Sequence, residues 1–367
     1  MIKRTLSTFT IIVLLASYSF AQYNFEVLYN CECTTIKNQQ KTGTCWSFST
    51  VSYLESELIR MGKPTYDLSE MYVVRNIYAD KARNYVLRQG KANFSQGSLG
   101  HDVIRAYKMG GMVPESVYDG LQDGDIVHDH SEMEAAMKGM LDGIIKRKRP
   151  SSKWQNGINA IMDIYMGEIP ETFTYEGKNY TPQDFSNELG INPDDYVSFT
   201  SYSHHPFYES CILEVPDNYS NGSYYNVPME DLQKIANYAL DNDFTIAWDG
   251  DVSEKGFSAA NGIAILPTDL TKKNLFEKPD KEVVVTQELR QQTFMNYETT
   301  DDHLMHITGM AKDQNGTTYY IVKNSWGEIS DYKGYIYMSA PYFNLKTTGF
   351  LIHKDAVPKD IWNKIKS

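Results

Sequence analysis

The stretch NQQKTGTCWSFS, Asn38 to Ser49, decides how this chain is read. Behind it Phe48, Val51, Leu54 and Leu58 recur at steps of three, three and four, one apolar helix face, and Gly62 followed by Pro64 ends the pattern. Gly43 and Thr44 stand just before, which places Cys45 in the first turn. There the backbone N–H groups lack intrahelical partners and the positive end of the helix dipole favours an anion. A thiolate is such an anion, and it is the nucleophilic form of cysteine. A buried core cysteine fits the same placement, because free cysteines are among the most buried residues. The rest of the chain must therefore supply the partners that a nucleophile needs.

A length of 367 residues sustains one large domain or two to three smaller ones. Hydrophobic residues at 41% and charged residues at 22% describe a globular chain. The formal net charge of −12 repels phosphate backbones and anionic lipid, which argues against nucleic acid as a partner. The one basic run, Lys146 to Arg149, follows a helical pattern and reads as its solvated end. At the start, Lys3 and Arg4, an apolar run, and Ser19 and Ala21 at the −3 and −1 positions form a secretory leader over residues 1–21. Cleavage before Gln22 and a secreted or periplasmic mature protein are expected. That apolar run is too short for a membrane span and no other segment approaches one. Four cysteines remain, Cys31, Cys33, Cys45 and Cys211. If Cys45 stays reduced an odd number is left, and the sequence leaves open whether Cys31 or Cys33 pairs with Cys211. The pair CEC lacks the second pair or nearby histidine couple of a zinc site.

Helical periodicity dominates residues 22–120, an inserted helical and turn-rich segment covers 121–223, and strand-like runs dominate 224–367. HLMHITGMA and TTYYIVKNSW, joined by the turn DQNG, read as an antiparallel hairpin. Helices early and strands late give an α+β layout with two lobes. A nucleophilic cysteine needs a base and a group to orient that base. His303 and His306 lie on the hairpin, whose second strand carries Asn324. A side-chain amide oxygen accepts from an imidazole N–H and holds the ring. Strand alternation sends the two histidines to opposite faces, so only one can meet Cys45.

QQKTGTCWSFS resembles the nucleophile segment of the papain superfamily of cysteine peptidases, and NSWGE resembles its asparagine segment. Relatives carry a glutamine six residues before the cysteine, as Gln39 stands here, and a glycine six after the histidine. Gly309 is six after His303 whereas Lys312 is six after His306, so the resemblance selects His303. Thr42, the segment KWQNGINAIMDIYMGEIPETFTYEGKNYTPQDFSNEL and the unit NVPMEDLQKIANYALDNDFTIAWDGDV are similar to the bleomycin hydrolase and aminopeptidase C branch.

The resemblance implies a papain-like two-lobe fold, a helical lobe plus an antiparallel, barrel-like β lobe, with a helical insertion. It implies that Cys45 attacks a peptide bond as a thiolate paired with the His303 imidazolium, its pKa drawn far down, and passes through a thioester. Asn324 would orient His303. Trp326 would cover that bond and border the substrate, and Gln39 with the Cys45 N–H would hold the oxyanion. Gly97 would lie beside the substrate backbone, with Gln96 in place of the first glycine of the family pair. AWDGD, Ala247 to Asp251, fits both a cleft lining and a strand end with a turn. Peptides are the implied partners, no cofactor or metal is called for, and relatives form hexameric rings. An inactive papain-like binding module is the reading of a different class, and the presence of every catalytic identity argues against it. In the branch a C-terminal tail runs into the cleft and meets the substrate amine. Here the likeness runs through LIHKDAVPKDIWNKIKS, and endopeptidase-type cleavage is expected beside aminopeptidase action.

Overall fold

The computed structural model describes residues 23–366, so the leader read in residues 1–21 lies outside the described residues. In chain order β1 (Glu26–Asn30) precedes α1 (Cys45–Arg60), α2 (Glu70–Leu87), α3 (Gly100–Gly110), α4 (Ser131–Ile145) and α5 (Lys153–Met166). A hairpin of β2 (Phe173–Tyr175) and β3 (Lys178–Tyr180) leads to α6 (Pro182–Leu189), β4 (Tyr196–Thr200), β5 (Ser210–Ile212) and β6 (Ser223–Asn226). Next come α7 (Met229–Asp241), β7 (Ile246–Gly250), β8 (Phe257–Ser258), β9 (Ile263–Ala264) and α8 (Gln287–Met295). The chain closes with β10 (His303–Lys312), β11 (Thr318–Lys323), β12 (Tyr335–Ser339), α9 (Ala340–Lys346), β13 (Thr347–His353) and α10 (Lys359–Lys366).

Local chemistry accounts for several boundaries. The Ser69 hydroxyl accepts from Tyr72 N at 2.9 Å and starts α2. Thr181 and Asp184 form a reciprocal cap on α6, with Pro182 in its first turn and the left-handed Gly190 ending it. The central helix differs from its expected form. Phe48, Val51, Leu54 and Leu58 are buried as read, but so is every other residue from Cys45 to Leu58. The cause is packing on all sides, against α2 and α3 on one flank and β10 and β7 on the other. The small hydroxyls of the helix make this possible: Ser47 donates to Glu70 O at 2.9 Å from a fully buried position.

The large sheet runs β5-β6-β4-β13-β7-β10-β11-β12-β9-β8, with β1 added along β10. Most pairs are antiparallel, while β4–β6 and β9–β12 are parallel. The ladder is open at β5 and β8, so the barrel-like lobe expected from the resemblance is an open sheet. Its outer strands have only three and two residues and offer little edge to close upon. The segment 121–223 is helical in its first part, contributes β4 and β5 to the sheet in its second, and ends where β6 begins.

One apolar core lies among the early helices, with Trp46, Leu54, Tyr72 and Leu141, and another backs the sheet, with Trp248, Met305, Tyr320 and Phe343. Full burial of each such side chain contributes about 1.5–3 kcal/mol or more, so both halves carry real cores. The N-terminal end of α1 meets β10 between them. All four cysteines are unbonded, and no helix among the described residues is long and apolar enough to cross a membrane.

Candidate active site

Cys45 opens α1 at the junction of the two halves, 8% exposed. Its thiol accepts a hydrogen bond from the backbone of Leu304, the residue after His303. The β10–β11 hairpin carries the other two residues: His303 Nε2 stands 2.8 Å from Asn324 Oδ1. That oxygen also accepts from Ser325 N at 2.8 Å, which fixes it as the carbonyl end of the amide. A carbonyl only accepts, so His303 Nε2 carries the hydrogen and Nδ1 presents a lone pair. The Trp326 indole stacks on the His303 ring at 4.5 Å between centroids, with Phe257 set edge-on behind it at 6.2 Å. This pair covers one face of the imidazole.

Gln39 is held from three directions. Its backbone N–H donates to Ser325 O at 2.8 Å, and its Oε1 accepts from Ser325 Oγ at 2.6 Å. Its Nε2 donates to Thr42 O at 2.7 Å. An amide nitrogen has two hydrogens, so this arrangement leaves one N–H available beside the first turn of α1. Thr42 returns a bond to Gln39 O at 2.7 Å, and its hydroxyl also meets that of Thr44 at 2.5 Å. Ser325, read in the sequence only as part of the NSWGE segment with no role of its own, is the residue that orients the Gln39 amide.

Gly97 precedes α3, and there the surroundings differ from a bare backbone edge. A Cβ at Gly97 would fall 1.8 Å from Asp217 Oδ2, so the space beside the glycine holds a carboxylate. Asp217 Oδ1 accepts from Asn93 Nδ2 at 2.7 Å and from Ser95 Oγ at 3.4 Å. The Lys81 ammonium, fully buried, donates to Gly97 O. Asp217 comes from a loop that closes on itself: Asn218 Nδ2 donates to Leu213 O and Gly222 O at 3.0 and 3.1 Å, and Asn218 Oδ1 accepts from Gly222 N at 2.7 Å. Tyr219 fastens this loop to α2 through Asp80 Oδ2 and Asn84 Nδ2, at 2.9 and 3.1 Å.

Two further carboxyls lie near the thiol. Asp249 on β7 bonds to Thr348 Oγ1 at 2.6 Å, and its carboxyl pairs with that of Asp301, two residues before His303. A carboxyl–carboxyl hydrogen bond requires a shared proton, and burial holds both groups above the usual carboxylate range. Burial first, and then Asp301, Asp249 and Asp217, push the Cys45 thiol up to about 12. Burial pulls His303 down to about 4 although the Asn324 bond and Asp302 act the other way. The α1 terminus favours a thiolate by about 0.3–1 kcal/mol, which is small against desolvation shifts of up to about 3–5 pK units. Burial thus opposes both charges of the ion pair implied by the resemblance, while the α1 terminus, the Asn324 bond and Asp302 support them.

His306 faces the other way, into a small chamber. Its Nδ1 lies 2.9 Å from Ser52 Oγ, and Lys323 Nζ donates to the same hydroxyl at 2.7 Å. Ser52 therefore gives its own hydrogen to His306. Glu55, Glu70 and Lys37 share the lining with Phe48, Leu304 and the neighbouring Asn324 and Ser325.

A cysteine at a helix start, an amide-oriented histidine across the junction and a glutamine amide alongside define a papain-type thiol site. The chain belongs to the Peptidase C1-like family, whose model matches residues 133–367; the model of papain family cysteine proteases matches residues 22–118. It is therefore a cysteine-type peptidase. It is similar to aminopeptidase G of Lactobacillus delbrueckii subsp. lactis, 27% identical over 89% of this chain and 82% of that one. Mouse bleomycin hydrolase is 22% identical, with 94% of this chain and 86% of that one covered. The crystal structure of PepW from Lactobacillus rhamnosis HN001 superposes with a TM-score of 0.74 at 19% identity, over 93% of this chain and 84% of that one, and shares the fold.

Proposed function

We propose that this peptidase removes residues from the amino terminus of peptides through an acyl-enzyme on Cys45. His303 Nδ1 takes the thiol proton as sulfur bonds to the scissile carbonyl carbon. The remaining Gln39 Nε2–H and the Cys45 N–H donate to the oxygen that becomes negative, and one such donor is typically worth about 3 kcal/mol of barrier. The proton on Nδ1 then goes to the leaving amine, and water cleaves the thioester with Nδ1 again as base. Asn324 holds the ring through Nε2 in both steps, and Trp326 keeps water from that bond. Names among the relatives, aminopeptidases G, W and C, support the exopeptidase reading.

The observation that carries this reading is Asp217 laid against Gly97. An extended peptide running along Gly97 meets a carboxylate there, which suits a free ammonium and obstructs a longer chain. The same ammonium offsets the carboxylates that hold the Cys45 thiol up, so the substrate itself would favour ionisation of the nucleophile. This reading sets aside the endopeptidase-type cleavage expected from the sequence. The leader read in residues 1–21 supports action after export, which amino-terminal sequencing of the mature protein, expected at Gln22, would check.

The test compares one fluorogenic peptide with a free and an acetylated amino terminus, in the natural protein and in Asp217→Asn. Loss of a charged hydrogen bond costs about 1.5–3 kcal/mol, so kcat/KM on the free peptide should fall about 10- to 100-fold. Alkylation of Cys45 by neutral iodoacetamide should quicken in the same variant, because one negative charge has gone. Equal cleavage of both peptides by the natural protein would overturn the aminopeptidase reading and leave the thiol chemistry standing.

A further inference from the structure

His204 and His205 are consecutive residues in the turn after β4, yet both imidazoles converge on one carboxylate. His204 Nε2 lies 3.1 Å from Glu214 Oε2, and His205 Nε2 lies 2.8 Å from Glu214 Oε1. The two rings are 4.3 Å apart and tilted by 46°. All three side chains offer a ligand atom, and these atoms lie within 4.8 Å of one another. We propose that His204, His205 and Glu214 form a binding site for a divalent transition-metal ion of the zinc class.

Adjacent side chains usually diverge, and here the turn holds them to one side. The His204 ring is kept in place by packing, tilted against Tyr202 and stacked on Phe294, each at 5.9 Å between centroids. Its Nδ1 lies 3.3 Å from Gln291 Oε1 and 3.0 Å from Gln291 Nε2. That amide can thus serve either tautomer, and with Nδ1–H donated to Oε1 the Nε2 lone pair is free for a metal, the usual outer support of a metal-bound histidine. Gln291 Oε1 is itself anchored by Ser203 Oγ at 3.1 Å and His204 N at 3.2 Å.

With both rings neutral, their two Nε2–H groups can donate to the one carboxylate, and a metal ion would take the place of those hydrogens. One divalent ion between the three groups meets both imidazoles through lone pairs and the carboxylate through its charge. Tetrahedral zinc with ligands at about 2.0–2.1 Å spaces neighbouring ligand atoms by roughly 3.3 Å; the two nitrogen–carboxylate contacts, to different oxygens of Glu214, are 3.1 and 2.8 Å, and the three ligand atoms lie within 4.8 Å of one another. Two nitrogens and one oxygen are also a donor set that zinc, cobalt and nickel accept and that magnesium and calcium do not favour.

The location gives such an ion a role. His204 and Glu214 border a pocket of about 450 Å³ whose lining also includes Val215, Pro216, Phe294 and Asp301. Glu214 begins the stretch that reaches Asp217, so a bound ion would pin the Asp217 loop to the turn after β4. This is a tie between two loops and takes no part in breaking the peptide bond.

The experiment uses the full chain with Cys45→Ala, so that the nucleophile cannot hold the ion, after removal of metal by chelator. Cobalt(II) is added, followed by zinc, alongside His205→Ala and Glu214→Gln in the same background. The expected result is one cobalt ion per chain with visible ligand-field bands and no thiolate charge-transfer band, displaced by one equivalent of zinc. Each variant should weaken uptake by at least about tenfold. Zinc should also raise the thermal midpoint of the parent but not of the variants, whose metal-free midpoints should match it because all three side chains are partly exposed. No cobalt spectrum, a spectrum unchanged by both variants, or a thiolate band placing the ion on Cys31, Cys33 or Cys211 would each overturn the site.

Discussion

His303 and His306 stand three residues apart on one strand and live in different regions of the molecule. His303 faces the junction of the two halves, with Asn324 behind it, Trp326 on its face and a thiol bonded to the next peptide. His306 faces a small chamber whose lining includes Ser52, Lys323, Glu55, Glu70 and Lys37. Burial is the first cause that lowers the pKa of both, and for His306 the Lys323 ammonium adds to it. Burial and an altered pKa therefore do not separate a catalytic histidine from a structural one. What separates them is the unspent lone pair: Nδ1 of His303 points to chemistry, while Nδ1 of His306 is used by Ser52.

The strongest way to break this comparison is to remove each side chain in turn. Cys45→Ala and His303→Ala should each lower kcat/KM on a free-amine peptide by more than about 10³-fold, and the double variant should fall little further, as for residues acting as a unit. Gln39→Ala should follow with a loss of about 10²-fold, mostly in kcat, because in the proposed mechanism its free N–H meets charge present only in the transition state. If KM alone rose, Gln39 would be a binding residue instead. His306→Ala should keep activity per folded molecule within about threefold, yet lose about 2 kcal/mol in urea unfolding, from a buried cavity and an orphaned Ser52 hydroxyl. An activity loss as large as that of His303→Ala would make the two regions functionally one.

The smallest effect is a slope. His303 has a folded-state pKa near 4 against an ordinary value of 6.5. The unfolded chain then takes a proton that the native protein refuses, so this group stabilises fully above pH 6.5 and the contribution drains away as pH falls toward 4. Glu70, near 7, and Glu115, near 8, act in the opposite sense, since burial raises both and their contribution is lost as pH rises. Comparing Cys45→Ala with Cys45→Ala/His303→Ala cancels those groups. Urea unfolding across pH 4 to 6.5 should show the flatter profile in the double variant, and parallel profiles would refute the lowered His303 pKa.

Much of this site was legible along the chain because its signals are local or periodic. Cys45 stands at a helix start, the hairpin pattern set His303 against Asn324, and spacing to Gly309 chose between the two histidines. The helix face of α1 was legible too, but not its burial all round, since its polar positions are small hydroxyls whose partners lie on other elements. The acids were harder. Asp249 and Asp301 resemble ordinary strand-end charges until the β7–β10 pairing brings them together. Asp217 reaches Gly97 from a loop 120 positions further along, and no periodicity links the two. His204 and His205 likewise look like turn residues until Glu214 is placed opposite. The open sheet follows from pairings between β4, β6 and β13, which a strand count cannot supply.

The loop from Leu213 to Gly222 closes upon Asn218, and its attachments to α2 run through Tyr219 rather than through Cys45 or His303. Its shape is therefore kept independently of the bond-breaking groups it faces. On the proposed reading of Asp217, such a segment is an exchangeable cassette: replacing residues 213–221, with Asn218 and Tyr219 retained, would alter which chain ends are admitted while the thiol and imidazole keep their places. In this molecule selectivity can drift, or be redesigned, without reopening the question of how the peptide bond is cut.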